Sequence, residues 1–158
     1  MHSARPARNN EGLPLDVREL TTDEEIAAAF PLMRALRDRL REETFLAEVR
    51  RQNVEGYKLI GGFEGGRLVA LAGIRRTHTL ARGEHLFVDD LVTAEGERGK
   101  GFGREILHWL ARRAAAEGLS RICLDSRFTA KGFYERLGFQ FRTSVPAWID
   151  VGDLLDGR

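Results

Sequence analysis

Glu84–Glu117 reads EHLFVDDLVTAEGERGKGFGREILHWLARRAAAE, and the architecture turns on it. A run rich in β-branched and aromatic residues (84–93) leads into a loop of glycine and charge. An amphipathic helix follows. The loop carries Arg98-Gly99-Lys100-Gly101-Phe102-Gly103-Arg104. Its glycines let the backbone turn with positive φ or come close to a ligand. The helix opening there offers unpaired N–H groups and the positive end of its dipole. A strand, a glycine-rich loop and a helix N-terminus in that order form an anion site, and phosphate is the usual anion. A P-loop needs Ser or Thr after its Gly-Lys, and Gly101 stands there. A dinucleotide fingerprint needs a third Gly or Ala, and Ile106 stands there.

Composition bounds the rest. A chain of 158 residues suits one domain with a sizeable core, here 15–158 after a polar tail over 1–14 that lacks the apolar stretch of a secretory signal. Net charge is +1 with 31% charged residues, which leaves no electrostatic footprint for nucleic acid. The single cysteine, Cys123, excludes an internal disulfide framework and fits a reducing, cytoplasmic setting. No apolar run reaches the roughly 18 residues of a membrane span. His78, His85 and His108 show no metal-ligand spacing, so no metal site is expected. No Ser-His-Asp set can be assembled from spacing either.

Along the chain, Leu15–Leu20 reads as a first strand and Thr22-Asp23-Glu24-Glu25 as a capping box. Ile26, Phe30, Met33, Leu36 and Leu40 recur at helical spacing, with Pro31 marking a kink or a restart. Thr44 is expected to cap a second helix that Gly56 ends. These helices carry Arg34, Arg37, Arg39, Arg41, Arg50 and Arg51. Such a set either attracts an acidic substrate or forms a solvated face balanced by Asp38, Glu42, Glu43 and Glu48, and the balance favours the solvated face. Two strands, 57–63 and 67–77, flank a Glu64-Gly65-Gly66 turn. After the helix beyond the glycine loop, Gly118 is a natural stop. A short buried strand (121–125), a helix (129–137) and two last strands (139–145 and 148–151, separated by Pro146) complete an α/β sandwich around one mixed sheet.

Two blocks within this order resemble one family. Arg98-x-x-Gly101-x-Gly103 is similar to the pyrophosphate loop of the GNAT acyltransferases. Ala130-Lys131-Gly132-Phe133-Tyr134-Glu135-Arg136-Leu137-Gly138-Phe139 is similar to that family's Ala-x-x-Phe-Tyr-Glu-Lys-x-Gly-Phe segment. Asp90-Leu91-Val92-Thr93 resembles the strand that enters the loop. The resemblance spans nearly the whole chain from Leu15. It implies a mixed, largely antiparallel central sheet with helices on both faces, and transfer of acetyl from acetyl-CoA to a primary amine by direct attack in a ternary complex.

The resemblance also assigns roles. Arg98, Gly99, Lys100, Gly101, Phe102, Gly103 and Arg104 would hold the CoA pyrophosphate. The backbone of Leu91, Val92 and Thr93 would polarise the thioester carbonyl. Tyr134 would protonate the leaving thiolate, a fit for a phenol of ordinary pKa near 10. Arg127 stands where the family often has an Asn that binds the pantetheine arm.

For the amine proton the candidates are Asp89, Asp90 and Glu84, since adjacent acids in an apolar strand are costly unless used or solvated. Asp89 and Asp90 are expected on opposite faces of the strand. Water serving as the base stays open. Expected partners are acetyl-CoA and an amine acceptor, a small metabolite before a protein amine, with a homodimer possible and neither nucleic acid nor membrane. The competing reading is a non-catalytic acyl-CoA-binding sensor or regulatory module.

Overall fold

Apolar side chains on both faces of the strands require cover on both sides, and the architecture supplies it. Strands β1 (Asp16–Glu19), β2 (Tyr57–Glu64), β3 (Arg67–Thr79), β4 (Gly83–Thr93) and β5 (Ile122–Leu124) form one sheet in chain order. The first three junctions are antiparallel and β4–β5 is parallel. Helices α1 (Asp23–Ala28), α2 (Phe30–Leu36) and α3 (Glu42–Val54) join β1 to β2, and α4 (Phe102–Ala116) makes the crossover from β4 to β5. The computed structural model describes residues 14–142 and 144–157. It divides into two compact units, Met1–Leu124 and Asp125–Arg158. Of the expected tail, residues 1–13 lie outside the described residues.

Two adjacent glycines of β2 report the two covered faces. A Cβ on Gly61 would lie 2.8 Å from Leu20 and Phe63. A Cβ on Gly62 would lie 3.1 Å from Leu15 and 3.2 Å from Ile106 of α4. Successive positions on a strand point to opposite faces, so α4 covers one face. Leu20 belongs to the cluster on the other, with Ile26, Phe30, Met33, Phe45 and Val49 of α1–α3 and Tyr57, Leu59, Leu71 and Val92 of the sheet. On α4, Ile106, Leu107, Leu110 and Ala114 are buried and form the apolar face of an amphipathic helix.

Local signals explain the element ends. Thr22 caps α1 by accepting from the Glu25 N–H, while the Glu25 carboxylate accepts from the Thr22 N–H, closing the capping box. Pro31 sits in the first turn of α2, where its missing N–H does no harm, so it marks a restart. Leu40 falls beyond the end of α2. Arg41, not Thr44, stands at the N-cap of α3. Thr44 lies inside the first turn, where its hydroxyl donates to Glu48 at 2.8 Å. The β2–β3 hairpin closes on Gly65-Gly66, both at positive φ, as a two-residue turn requires.

Glu25 makes the fold acid-sensitive in a defined window. Its carboxyl is lowered to about 2, first by the Arg18 guanidinium and then by the N–H groups of Thr21 and Thr22. A depressed folded-state pKa contributes stability that is present above the unfolded value, near 4.5, and is lost as pH falls toward 2. Thermal melts at pH 7, 4 and 2.5 should show that Glu25→Gln loses less stability than the parent across this window. Thr22→Ala should lower stability by about 1 kcal/mol at pH 7.

In the second unit a 3-10 turn (Phe128–Ala130) leads into α5 (Lys131–Arg136), and Gly138 at φ 91 ends it. The two strands expected over 139–145 and 148–151 do not form among the described residues, and Thr143 lies outside them. Val151–Asp156 is instead a helix, α6, with Asp150 at its N-cap. A strand needs a partner for its N–H groups and a face to bury. Pro146 has no N–H to give, and Val145, Trp148, Ile149 and Val151 are exposed. The four-residue run at 148–151 is too short to separate a strand from a helix start. Cys123 is half-buried in β5, not enclosed as expected.

Candidate active site

A single extra residue in β4 shapes the site. Gly73 of β3 pairs with Asp90 and the next residue, Ile74, pairs with Val88, so Asp89 is a bulge. The bulge resets the phase of everything after it. The Leu86 N–H points toward β5, donating to the Arg121 carbonyl at 3.0 Å. The Ala94 N–H points the other way, donating to Val69 of β3 at 2.8 Å. N–H groups two apart share a side, so Val92 also faces β3. Leu91 and Thr93 therefore face the β5 edge. Leu86 and Leu91 are an odd number of residues apart, and only a bulge puts both N–H groups on that edge. The β4–β5 ladder runs Leu86–Val88 against Ile122–Leu124. Beyond it, the edge of Leu91–Thr93 has no ladder partner among the described residues.

The same bulge overturns the expectation that Asp89 and Asp90 point to opposite faces. Both line one cavity of about 290 Å³ on the α1–α3 face, with Met33, Arg37, Leu40, Phe45, Glu48, Val49, Gln52 and Tyr57. Each carboxylate is held. Arg75 donates from Nε and Nη2 to the two oxygens of Asp89 at 2.7 Å each. Arg37 donates to Asp90 Oδ1 and to the Asp89 carbonyl at 2.8 and 2.7 Å, and the Tyr57 hydroxyl donates to Asp90 Oδ2 at 2.7 Å. Burial, then the Asp90 carboxylate, push the Tyr57 phenol far above its ordinary value, so it stays a donor. Gly73 makes this possible, because a Cβ there would overlap both the Tyr57 hydroxyl and the Asp90 carboxylate.

Glu84 is not part of the cavity. It pairs with Arg76 at 3.0 Å at the far end of β4. Five residues at about 3.3 Å each put it roughly 16 Å from Asp89. His85 is fully buried, with Nδ1 2.8 Å from the Gly83 carbonyl. Arg37, Glu48 and Tyr57 were not singled out as site residues from sequence. Arg37 and Tyr57 are 53 and 33 residues from Asp90 in the chain, so no local pattern joins them.

The glycine loop is built from backbone. Gly99 and Gly101 take φ +83 and +90, and Gly101 is the N-cap of α4 with no side chain capping the helix. The first-turn N–H groups are thus left for another acceptor. Glu97 anchors the loop. It is buried and accepts from Arg67 and Lys100, each at 2.5 Å. Those bonds, Lys100 first, hold its carboxyl below the ordinary range. The Lys100 ammonium is therefore already paired, whereas Arg98 and Arg104 are exposed and make no ion pair among the described residues.

Tyr134, in the second unit, is buried between the rings of Phe133 and Phe139 at 5.0 and 5.4 Å. Burial raises its phenol above the ordinary value. Arg127 is exposed at the N-cap of the 3-10 turn, where its carbonyl accepts from the Ala130 N–H at 3.0 Å.

Comparison with known proteins agrees with the fold. The family model for the acetyltransferase (GNAT) family matches residues 17–139. An uncharacterized N-acetyltransferase of Bacillus subtilis (strain 168), YhdJ, is 34% identical over 130 residues, covering 79% of this chain and 92% of that protein. Among solved structures, a Trypanosoma brucei acetyltransferase superposes with a TM-score of 0.72 at 23% identity, over 87% of this chain and 100% of that one. An aminoglycoside N-acetyltransferase in complex with CoA gives 0.77 at 14% identity, over 90% and 98%. These structures share the five-strand, mostly antiparallel open sheet with helices. The chain belongs to the acetyltransferase (GNAT) family.

Proposed function

We propose that this chain transfers the acetyl group of acetyl-CoA directly to the primary amine of a small acceptor. The observation that carries this reading is the β4 bulge. It turns the Leu91 and Thr93 N–H groups toward an edge that has no ladder partner among the described residues, and it brings Asp89 and Asp90 to one cavity. The thioester carbonyl at that edge would meet fixed donors as it becomes an oxyanion, an arrangement worth about 10²–10³ in rate. The acceptor nitrogen would come from the cavity and attack the same carbonyl. The C–N bond forms, the C–S bond breaks, and the thiolate takes a proton from Tyr134.

The pyrophosphate is assigned to the backbone of Gly99–Arg104 at the α4 N-terminus, with charge from Arg98 and Arg104. Lys100 serves the loop through Glu97. The amine loses its proton to water ordered on Asp89 and Asp90, since both carboxylates already accept from guanidinium groups. Arg127 is assigned to the pantetheine arm.

Two measurements test this. Titration calorimetry should show acetyl-CoA binding, and thiol release should depend on added amine. Binding without amine-dependent release across broad amine pools would favour the sensor reading. Asp90→Asn should lower kcat/KM about tenfold at neutral pH, below the usual 10²–10⁴ because water can take over. Full rate and an unchanged pH profile in both Asp89→Asn and Asp90→Asn would remove these residues from proton transfer.

A further inference from the structure

The charges lining the cavity do not balance, and the imbalance has an address. Asp89 is matched by Arg75, and Asp90 by Arg37. Glu48 also lines the cavity, and among the described residues no cation pairs with it; its Oε1 accepts from the Thr44 hydroxyl at 2.8 Å. Arg37, the cation in the lining, is spent on Asp90 and on the Asp89 carbonyl. The cavity thus offers one unmatched negative charge and no unmatched positive one. A carboxylate or phosphate on the acceptor would enter without a partner, whereas a second ammonium would find one.

The rest of the lining is mostly apolar. Glu48 and Gln52 share one face of α3 with Phe45 and Val49, at spacings of three and four residues. Met33 of α2 and Leu40, beyond the end of that helix, also line the cavity. The apolar part of the lining, Met33, Leu40, Phe45 and Val49, suits methylene groups. At about 290 Å³ the cavity lies at the small end of the usual range for organic ligands, about 300–1,000 Å³.

We infer that the acceptor is a linear aliphatic amine with a second, protonated nitrogen, held with its reacting end at Asp89 and Asp90 and its far ammonium on Glu48. This rests on the acceptor reading of the cavity above. Neutral attack at one end and a permanent charge at the other divide the work. The reacting nitrogen gives up its proton, while the far ammonium keeps its own and sets the register.

Calorimetry on the CoA-bound protein tests this with three probes of matched length: 1,5-diaminopentane, pentylamine and 5-aminopentanoate. The diamine should bind about tenfold more tightly than pentylamine, a difference of about 1.4 kcal/mol, and 5-aminopentanoate should bind most weakly. Glu48→Gln should bring the diamine and pentylamine to equal affinity. Glu48→Lys should reverse the order, so that 5-aminopentanoate binds more tightly than the diamine. Glu48 is half-buried on a helix surface, so both variants should fold. Equal affinity of diamine and pentylamine in the parent, or a diamine preference that survives Glu48→Gln, would overturn the inference. Turnover separates it from the proposed function. Tight diamine binding without acetyl transfer would sink the transferase reading and leave the diamine site. Acetylation with no preference among the amines would sink the diamine site and leave the transferase.

Discussion

Tyr134→Phe is expected to lower kcat by roughly 10²-fold or more, in line with loss of a general acid, while acetyl-CoA affinity changes little. The substitution removes a hydroxyl and keeps the ring between Phe133 and Phe139. Because burial raises the phenol above its ordinary value, it is fully protonated at neutral pH and has a proton to give. The leaving group supplies the discriminating measurement. An aryl thiolate is far more stable than the CoA thiolate and needs less help. Single-turnover rates with an activated aryl thioester should therefore fall much less than with acetyl-CoA. Equal losses on both would mean that Tyr134 positions the cofactor. No loss on either would leave it a packing residue.

Gly101→Val should weaken acetyl-CoA binding at least about 100-fold without unfolding the protein. At φ +90 a β-branched residue is an outlier. The loop must rearrange and the first-turn N–H groups of α4 lose their aim. Nothing lies within 4 Å of a Cβ built there, so the damage comes from the backbone and not from a clash. Gly118→Val is the control. It sits at the other end of the same helix with φ +74 and equally open surroundings. It should cost stability and leave affinity alone. Unchanged binding in a folded Gly101→Val protein would remove the loop from the cofactor site. Equal losses in the two variants would reduce the effect to strain.

Much of the first unit was written locally. The capping box at Thr22, the Gly65-Gly66 hairpin, the apolar spacing of α4 and the stop at Gly118 each depend on a few neighbouring residues. What was not legible depends on phase or on distance in the chain. Alternation along β4 predicted opposite faces for Asp89 and Asp90, and the bulge broke it. A trace of the slip was present. On the α4 face, Leu86 and Val88 are two apart but Leu91 follows after three. Arg37 reads from sequence as one of a set of helix arginines, and nothing near it or Tyr57 points to Asp90. At Gly73, inside β3, the lack of a side chain is what admits the Tyr57 hydroxyl. In the second unit, the apolar runs around Pro146 read as strands, but too few residues stand on either side to fix a period.

The bulge at Asp89 also separates two kinds of genetic change. A substitution anywhere in β4 alters one side chain and leaves the amides where they are. Losing one residue between Val88 and Leu91 restores a regular strand. Either the Leu91 and Thr93 amides then turn inward toward β3, or the strand slides and Asp90 leaves its guanidinium partner. For this segment, the number of residues carries information that no residue type can replace.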